Sequence, residues 1–494
     1  MSAPVGRLAI VLHSHVPWLL GHGVWPVGEE WLRQAWAHSY IPVLSLLRER
    51  AEQGRRDLVT LGITPVLAAQ WDEPSSVAEQ ERWIADWRER ATGKALEAHA
   101  RGDSTSVADA HRHFQRAQWT LQEFTGHWRA GGSAALRPLV DAGAIELLSG
   151  PVTHTFTPHL LEPVADLAIR TGLAETTVRT GSQPSGIWAP ECAYSPGLED
   201  HYQRHAITHF LVDGPTLLAA QESVHRPYHV GSSNVVAFAR DLELTYRVWS
   251  PRSGYPGNRW YQDFHTYDHD WGLHSSRVTR QSSDRKQPYE PARAAQQVRI
   301  DAEDFLRSAQ QRMIDSPEED PVVVVAYDTE LFGHWWHEGP SFLAAVLDQA
   351  ACYGIELTTL TANLERAQSR AQLSAGTWGS GKDARVWESG EAGELRDRGR
   401  AAQYALVRYI HELPPGWRFS RHRTADAIAT ELLLALSSDW AFMITKDSAA
   451  DYARSRATEH FVRFGELLRA AHHDPMLQIT DDRLPFLDAR RIPT

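Results

Sequence analysis

The sequence predicts an α/β barrel that carries a helical insertion and ends in a C-terminal helical domain. Short apolar runs recur as far as residue 326, and helix-like patterns separate them. This alternation is typical of parallel strands joined by helices. Two charged, helix-prone stretches without strand patterns lie within and after the alternation. They account for the insertion and for the C-terminal domain.

Six apolar runs are predicted as buried strands. They are Leu8 to Leu12, Leu58 to Gly62, Ile145 to Ser149, Ser185 to Trp188, Ile207 to Val212 and Val322 to Ala326. Polar side chains follow several of them: His13 and His15 follow the first run, Glu191 the fourth and Asp328 the last. Barrel enzymes keep their chemistry at the carboxyl ends of the strands, so these side chains are the first candidates for a catalytic site.

Two domains are predicted. Residues 1–380 form the barrel, with a helical insertion at about 75–130, where the sequence is charged and free of strand patterns. A passage rich in Gly, Asp and Glu, from Ser380 to Gly399, marks the boundary. Residues 381–494 form the helical domain, because their apolar positions repeat with helical spacing. Its amphipathic segments are Arg400 to Ile410, Ala425 to Leu436 and Asp451 to Ala471.

Composition and charge favour a neutral substrate and a reducing compartment. The 494 residues carry a formal net charge of −12, which gives no reason to bind nucleic acid. No stretch approaches the roughly 20 apolar residues needed to span a bilayer. With only two cysteines, a disulfide framework is excluded, and we expect a cytoplasmic protein. The 19 tryptophans and 25 histidines suit stacking on sugar rings and hydrogen bonding to hydroxyl groups.

Two acidic residues are candidates for catalysis. Glu191 lies in GIWAPECAYSPG, and Asp328 follows four consecutive valines in VVVVAYDTELFG. Either residue could instead be structural, Glu191 as a turn residue and Asp328 as a solvated or paired group. Enzymes that cleave glycosides use a pair of carboxyls, one ionised and one protonated. A separation of roughly 5 to 5.5 Å between them would make the reaction retaining.

The histidine pair in HSHVP leaves three interpretations open. His13 and His15 lie on the same side of an extended segment. They could bind a metal, as in deacetylase-like barrels, hydrogen-bond sugar hydroxyls, or serve only the structure. Five tryptophans are candidate stacking platforms for a sugar: Trp25, Trp260, Trp378, Trp387 and Trp440. Asp439, next to Trp440, could hydrogen-bond a sugar.

These blocks, in this order, resemble those of glycoside hydrolase family 57 and, within it, its α-1,4-glucan branching enzymes. The matching motifs are HSHVP, GPVTHTF, WAPECAY, AYDTELFGHWW and SSDWAFMITKDSAADYA. The resemblance implies that Glu191 is the nucleophile and Asp328 the general acid/base. It also implies that Trp378 and Trp387 reach an acceptor groove. The implied substrate-binding residues are His13, His15, Trp25, His154, Arg252, Trp260, Gly272, Trp378, Trp387, Asp439, Trp440 and Ser448.

The resemblance implies a distorted (β/α)7 barrel that uses no metal or organic cofactor. The implied reaction cleaves an α-1,4-glucan, such as amylose or a glycogen-like polymer, and moves the segment to a 6-hydroxyl. A monomer is favoured. The alternatives are an α-amylase or 4-α-glucanotransferase of the same family, a metal-dependent carbohydrate deacetylase, and a glucan-binding protein without catalysis.

Two departures from the family pattern concern the surroundings of the site. Ser448 stands where the family is expected to have a glutamine that contacts substrate. The segment from Gln221 to Asn234 is shorter than the loop that covers the active site in the family, and Tyr228 would be its remaining aromatic tip.

Overall fold

The computed structural model describes residues 4–250, 253–279, 285–414 and 416–492. Arg252, one of the predicted substrate-binding residues, lies outside these residues. The strands of the described chain are β1 (Gly6–Ser14), β2 (Val59–Ile63), β3 (Ile145–Ser149), β4 (Gly186–Ile187), β5 (His209–Asp213), β6 (Tyr228–Val230), β7 (Val236–Arg240), β8 (Val322–Asp328), β9 (Ile355–Thr358) and β10 (Arg370–Ala371).

Seven of these strands close into a parallel barrel. The order around the barrel is β1, β2, β3, β4, β5, β7 and β8, and β8 returns to β1 along seven residue pairs. The closure is uneven, because β7 and β8 share one residue pair, Arg240 with Val324, and β4 has two residues. The short strands β6, β9 and β10 add to the outside. The distorted (β/α)7 barrel is confirmed.

The six predicted strands are all present, with ends shifted by at most two residues, and β1 and β8 are each extended by two residues at the carboxyl end. Strand β7 was not predicted, because its apolar run VAFAR is short and ends in Arg240. The extension of β1 carries His13 and Ser14 within the strand itself, and that of β8 carries Asp328. Both therefore deliver their polar groups directly at the barrel rim.

The predicted helical insertion is a hairpin of two long helices, α4 and α5, between β2 and β3. The helices of the described chain are α1 (Glu29–Ala35), α2 (Ile41–Glu52), α3 (Pro65–Asp72), α4 (Pro74–Ala100), α5 (Ser104–His127), α6 (Gly132–Asp141), α7 (Glu162–Thr180), α8 (Leu198–Arg204), α9 (Gly214–Ala219), α10 (Leu242–Trp249), α11 (Pro291–Ile314), α12 (Gly339–Gln349), α13 (Arg385–Glu388), α14 (Gly390–Glu412), α15 (Arg423–Ala435), α16 (Ser438–Lys446) and α17 (Ala450–His473). Among these described residues, no helix is long and apolar enough to cross a membrane.

The C-terminal region is helical, as predicted, but two details of the prediction were wrong. Helix α14 starts at Gly390, inside the passage expected to be a break, and α16 was not predicted because it has only nine residues. The helices pack on α7 of the barrel through one apolar cluster that joins Leu167 to Leu406 and Leu432. This packing brings the start of α16 against the barrel rim, where the Ser438 N–H donates to the His154 carbonyl over 3.0 Å.

Candidate active site

Glu191 is held in an unusual backbone conformation directly after β4. Its φ and ψ are 63° and 18°, and Cys192 follows with φ of 48°. Left-handed conformations at residues other than glycine cost on the order of 1 kcal/mol or more, and they are concentrated at functional sites. Local bonds hold the turn: the Ala193 N–H donates to the Pro190 carbonyl, and the Trp378 N–H donates to the Glu191 carbonyl over 2.9 Å. The turn fixes the direction of the Glu191 side chain.

The Glu191 carboxylate receives one hydrogen bond on each oxygen. The Ser438 hydroxyl donates to Oε1 over 2.7 Å, and the Trp378 indole donates to Oε2 over 2.8 Å. Burial raises the pKa of Glu191 to about 7, and these two donors oppose the rise because they stabilise the charged form. One donor comes from α16 and the other from the segment after β10, so two distant parts of the chain meet at this carboxylate.

Asp328 ends β8, and among the described residues no group donates a hydrogen bond to its carboxyl. Burial and, after it, the nearby charge of Glu191 raise the pKa of Asp328 to about 7. The two carboxyls therefore differ in environment, although both titrate near neutrality. The donors favour the ionised form of Glu191, whereas Asp328 lacks donors and is favoured as the protonated partner.

A third carboxyl, Glu330, lies buried beside this pair and was not among the predicted site residues. Its Oε1 accepts hydrogen bonds from the His15 N–H over 2.9 Å and from the Tyr40 hydroxyl. Burial, followed by the charge of Asp328, raises the pKa of Glu330 to about 8. Because its bonds go to the backbone at the end of β1 and to the helical segment that precedes α2, Glu330 ties that region to β8.

Three histidines form a stack at the rim of the barrel. His13 Nε2 lies 3.0 Å from His154 Nε2, and the rings of His15 and His154 stack at 3.8 Å. His13 also stacks on Trp188 at 4.2 Å. Burial lowers the pKa of His13 and of His154, so both are neutral near pH 7. Neutral imidazoles beside the carboxyls can donate to and accept from sugar hydroxyls.

Asp439 joins this stack from α16. Its Oδ2 lies 2.8 Å from His15 Nε2. Burial acts to raise the pKa of Asp439, but the charge and hydrogen bond of His15 outweigh it and lower the value to about 2. His15, His154 and Asp439 each bring one ligand atom within 4.8 Å of the others, which is a spacing that could hold a metal ion. The sequence suggested His13 and His15 as a pair of metal ligands. In the structure, the histidine that joins His15 in this group is His154.

Comparison with known proteins identifies the family. The sequence model described as "Glycosyl hydrolase family 57" matches residues 9–375. The chain belongs to glycosyl hydrolase family 57. The model of "1,4-alpha-glucan branching enzyme, C-terminal" matches residues 400–485.

Similar proteins cover nearly the whole chain. A protein of Mycobacterium tuberculosis, named as a probable 1,4-alpha-glucan branching enzyme, is 41% identical over 100% of this chain and 99% of its own length. A 1,4-alpha-glucan branching enzyme of Thermococcus kodakarensis is 31% identical over 94% of this chain and 73% of its own. The crystal structure of a family 57 branching enzyme from Pyrococcus horikoshii superposes with a TM-score of 0.88 at 28% identity, covering 99% of this chain and 95% of that one.

The tryptophans predicted from the family 57 motifs fall into two groups. Trp378 lies at the site, where it bonds Glu191, contacts the Trp188 ring at 5.2 Å and lies under the Arg240 guanidinium. Trp387 and Trp440 are each 1% exposed. Trp387 stacks on Phe156 at 4.8 Å, and the Trp440 indole donates to the Leu434 carbonyl. Neither ring is open to a sugar in this structure, because neighbouring side chains cover both.

The remaining predicted contacts are spread over the surface around the family 57 barrel. Trp25 is 60% exposed and lines a cavity together with Gly272. Trp260 is not an open platform, since three guanidinium groups lie 4.4 to 5.1 Å from its ring. Ser448 is exposed just after α16, where its N–H donates to the Met443 carbonyl. Tyr228 is not a loop tip, because it lies buried in β6.

Besides Glu330, sequence reasoning missed Ser438 as a site residue. Its hydroxyl touches both Glu191 and, at 2.9 Å, His154 Nδ1. A signal was present, since Ser438 directly precedes Asp439 in the last family motif. A serine before an aspartate at a helix start is, however, equally typical of a capping residue, and this second interpretation hides its contact with the carboxylate.

Proposed function

We propose that this family 57 chain is a retaining α-1,4-glucan branching enzyme, with Glu191 as nucleophile and Asp328 as general acid/base. The observation that carries the proposal is the pair of carboxyls at one barrel rim, of which Glu191 receives two hydrogen bonds and Asp328 receives none from the part of the chain that the structure describes. Glycoside cleavage requires this division into one ionised and one protonated carboxyl, and retention is what the family 57 resemblance implies.

The first half of the reaction forms a covalent intermediate. Glu191 attacks the anomeric carbon of an α-1,4-linked glucosyl unit, while Asp328 gives its proton to the departing 4-oxygen. The product is a glucosyl ester of Glu191 and a shortened glucan. The bonds from Ser438 and Trp378 keep Glu191 aimed and ionised before the attack.

The second half determines the product. Asp328, now ionised, removes the proton from the 6-hydroxyl of an acceptor glucan, which attacks the same anomeric carbon and releases Glu191. The transferred segment is then joined through an α-1,6 linkage with net retention. Water in the acceptor's place gives hydrolysis, so branching requires the acceptor to be held and water to be kept out.

Transfer to a 6-hydroxyl is favoured over the alternatives by the relatives that match along the whole length. Proteins named as branching enzymes match both the barrel and the C-terminal region, where the separate branching-enzyme model also matches. An α-amylase of Thermotoga maritima superposes with a TM-score of 0.83 at 24% identity, which shows a common fold only. A family 57 hydrolase or 4-α-glucanotransferase would use the same two carboxyls with another acceptor.

Incubation with linear amylose tests the proposal. Proton NMR counts the α-1,6 linkages formed and the new reducing ends. We expect α-1,6 linkages in clear excess over new reducing ends, since each transfer creates one branch without a net gain of reducing ends. New reducing ends without branches would instead establish a hydrolase, and rearranged linear chains would establish a 4-α-glucanotransferase.

Chelation separates the proposal from a metal-dependent deacetylase. We expect prolonged dialysis against EDTA to leave amylose branching unchanged, because the hydrogen bonds that link His15 to Asp439 and His154 to His13 already engage these groups. Activity would be assayed before dialysis, after it, and after readdition of Zn²⁺. Loss of branching that Zn²⁺ restores would contradict catalysis by the two carboxyls alone and favour a metal at His15, His154 and Asp439.

The pH dependence of kcat/KM should show the effect of the two hydrogen-bond donors on the pKa of Glu191. Glu191 must be ionised and Asp328 protonated, so activity falls at low pH as the carboxyl pair gains a second proton and at high pH as the pair loses its single proton. Ser438→Ala removes a donor that lowers the pKa of Glu191. We therefore expect the acidic limb to move to higher pH. Ser437→Ala is the neighbouring control, since the Ser437 hydroxyl bonds Asp439 and not Glu191. An acidic limb that moves equally in both variants would contradict this role.

A further inference from the structure

A cavity of about 290 Å³ lies between the barrel and the helical insertion. Its size is at the lower end of ligand-binding pockets, which span roughly 300 to 1,000 Å³. Four parts of the chain line it, and each follows the carboxyl end of a barrel strand: the segment after β1, the insertion after β2, the connection from β7 to β8, and the segment after β8. The cavity therefore opens on the barrel face that carries Glu191 and Asp328.

Aromatic rings form much of the cavity wall. Trp83 and Trp87 come from α4, Phe264 from the connection before β8, and Trp335 from the segment after β8. Trp83, Phe264 and Trp335 are only partly buried, so part of each ring is open to a ligand. Flat rings with free faces beside polar groups suit a sugar, whose ring carbons stack while its hydroxyls hydrogen-bond.

The polar groups of the wall suit a neutral ligand. Asp86 pairs with Arg90 at 2.7 Å, and Glu30 accepts hydrogen bonds from the Trp83 indole and from Gln34. Both acidic groups of the wall are thus already partnered by neighbouring side chains. Burial lowers the pKa of His334 to about 3, so that ring is a neutral donor and acceptor near pH 7.

One wall of the cavity is continuous along the chain with the strand end that carries Asp328. The segment from Gly333 to His337 forms part of its wall, beginning five residues after Asp328, and the Trp335 N–H donates to the Glu330 carbonyl over 3.1 Å. By contrast, the residues that contact the Glu191 carboxylate, Trp378 and Ser438, do not line it. In a retaining transfer the departing chain and then the acceptor approach the general acid/base, while the transferred segment stays bound to the nucleophile.

We propose that this cavity binds the acceptor glucan, with Trp83, Phe264 and Trp335 as its stacking surfaces. The inference rests on the proposed branching function and names the site that function requires beyond the two carboxyls. It also replaces the expected acceptor platform at Trp387, which is buried. The Trp335 side of the wall belongs to the segment that follows Asp328 along the chain, and the insertion forms the opposite side through Trp83.

The test compares tryptophan variants by the ratio of α-1,6 branches to new reducing ends formed from amylose. We expect Trp335→Ala and Trp83→Ala each to lower this ratio roughly tenfold, which corresponds to about 1.4 kcal/mol in the competition between acceptor and water. Trp335→Phe keeps an aromatic face and should restore most of the ratio. Trp119→Ala is the matched control, because Trp119 is a 38% exposed tryptophan of α5 that does not line the cavity.

The same variants are titrated with maltoheptaose by calorimetry in a Glu191→Gln background, where no turnover occurs. Weaker binding in Trp335→Ala and Trp83→Ala, with Trp119→Ala unchanged, supports the site. A ratio and an affinity that match those of Trp119→Ala would overturn the inference. If the wild-type chain forms no branches at all, the proposed function is wrong. The affinity for maltoheptaose tests the cavity separately: an unaltered affinity in both cavity variants would show that the cavity does not bind glucan.

Discussion

Replacement of Glu191 by glutamine is expected to lower the rate of amylose branching by at least roughly 10⁴-fold, the scale on which loss of a covalent nucleophile acts. The amide keeps the shape of the side chain and can still accept the bond from Ser438 or Trp378. It cannot form a stable ester with the anomeric carbon. Branches and new reducing ends should therefore disappear together, as measured by proton NMR of the amylose product.

Glu330→Gln is the matched control for this variant. Glu330 is also a buried glutamate of the site, and burial with the charge of Asp328 already favours its protonated form. Its Oε1 accepts bonds from His15 and Tyr40, which an amide oxygen can also accept. We expect this control to lose far less activity than Glu191→Gln. Equal losses in the two variants would show that Glu191 acts through the packing of the site and not as the nucleophile.

Replacement of Asp328 by alanine is expected to lower branching by about 10²- to 10⁴-fold, the usual contribution of a general acid/base. The loss should be much smaller for the first step with α-maltosyl fluoride, because fluoride leaves without protonation. The alkaline limb of the pH profile, which follows ionisation of the raised-pKa carboxyl Asp328, should also disappear. The pre-steady-state burst of fluoride release checks the first step, and steady-state rates with amylose across pH check the loss of branching and of the alkaline limb.

Sodium azide distinguishes the two roles by the anomer that it traps. In Asp328→Ala, azide attacks the ester on Glu191 and gives an α-glycosyl azide. A chain without the Glu191 carboxylate, such as Glu191→Ala, lets azide attack the substrate directly from the opposite face and gives the β-anomer. Both outcomes follow from inversion at each displacement. The reverse pattern of anomers would exchange the roles of Glu191 and Asp328.

The rim of the barrel was predictable because strand ends leave a pattern in the sequence. Four valines before Asp328 and the apolar run before His13 mark buried strands, and parallel strands place their carboxyl ends on one face. The insertion was predictable for a related reason. Helices α4 and α5, of 27 and 24 residues, have a charged, helix-prone sequence that contains no strand pattern. In both cases the signal is local along the chain.

The rest of the site depends on contacts that no local pattern encodes. Ser438 meets Glu191 across 247 positions, and this contact exists only because the C-terminal helices pack on α7. The tryptophans illustrate the same limit: Trp378 bonds the carboxylate, whereas Trp387 and Trp440 are packed in the interior. A ring suited to a sugar face is equally suited to a core, so residue type alone does not separate the two.

The acceptor region depends even more on tertiary structure. The wall of the cavity combines α4, the segment after β1 and two segments that flank β8, and no sequence pattern groups Trp83 with Trp335. Only the packing of these segments brings both rings to one cavity. Trp25 and Gly272, which the family resemblance implied as substrate-binding residues, also line this cavity. The proposed acceptor site therefore includes two of the residues expected to bind substrate.

The most direct test of the mechanism is to isolate the covalent intermediate. Asp328→Ala forms the ester from α-maltosyl fluoride but lacks the base that releases it, so the intermediate should accumulate. Acid quenching, peptic digestion and mass spectrometry should then find one maltosyl group on the peptide that contains Glu191. A maltosyl group on another residue, such as Glu330 or Asp439, or consumption of the fluoride with inversion and without an adduct, would contradict the assignment of Glu191 as nucleophile.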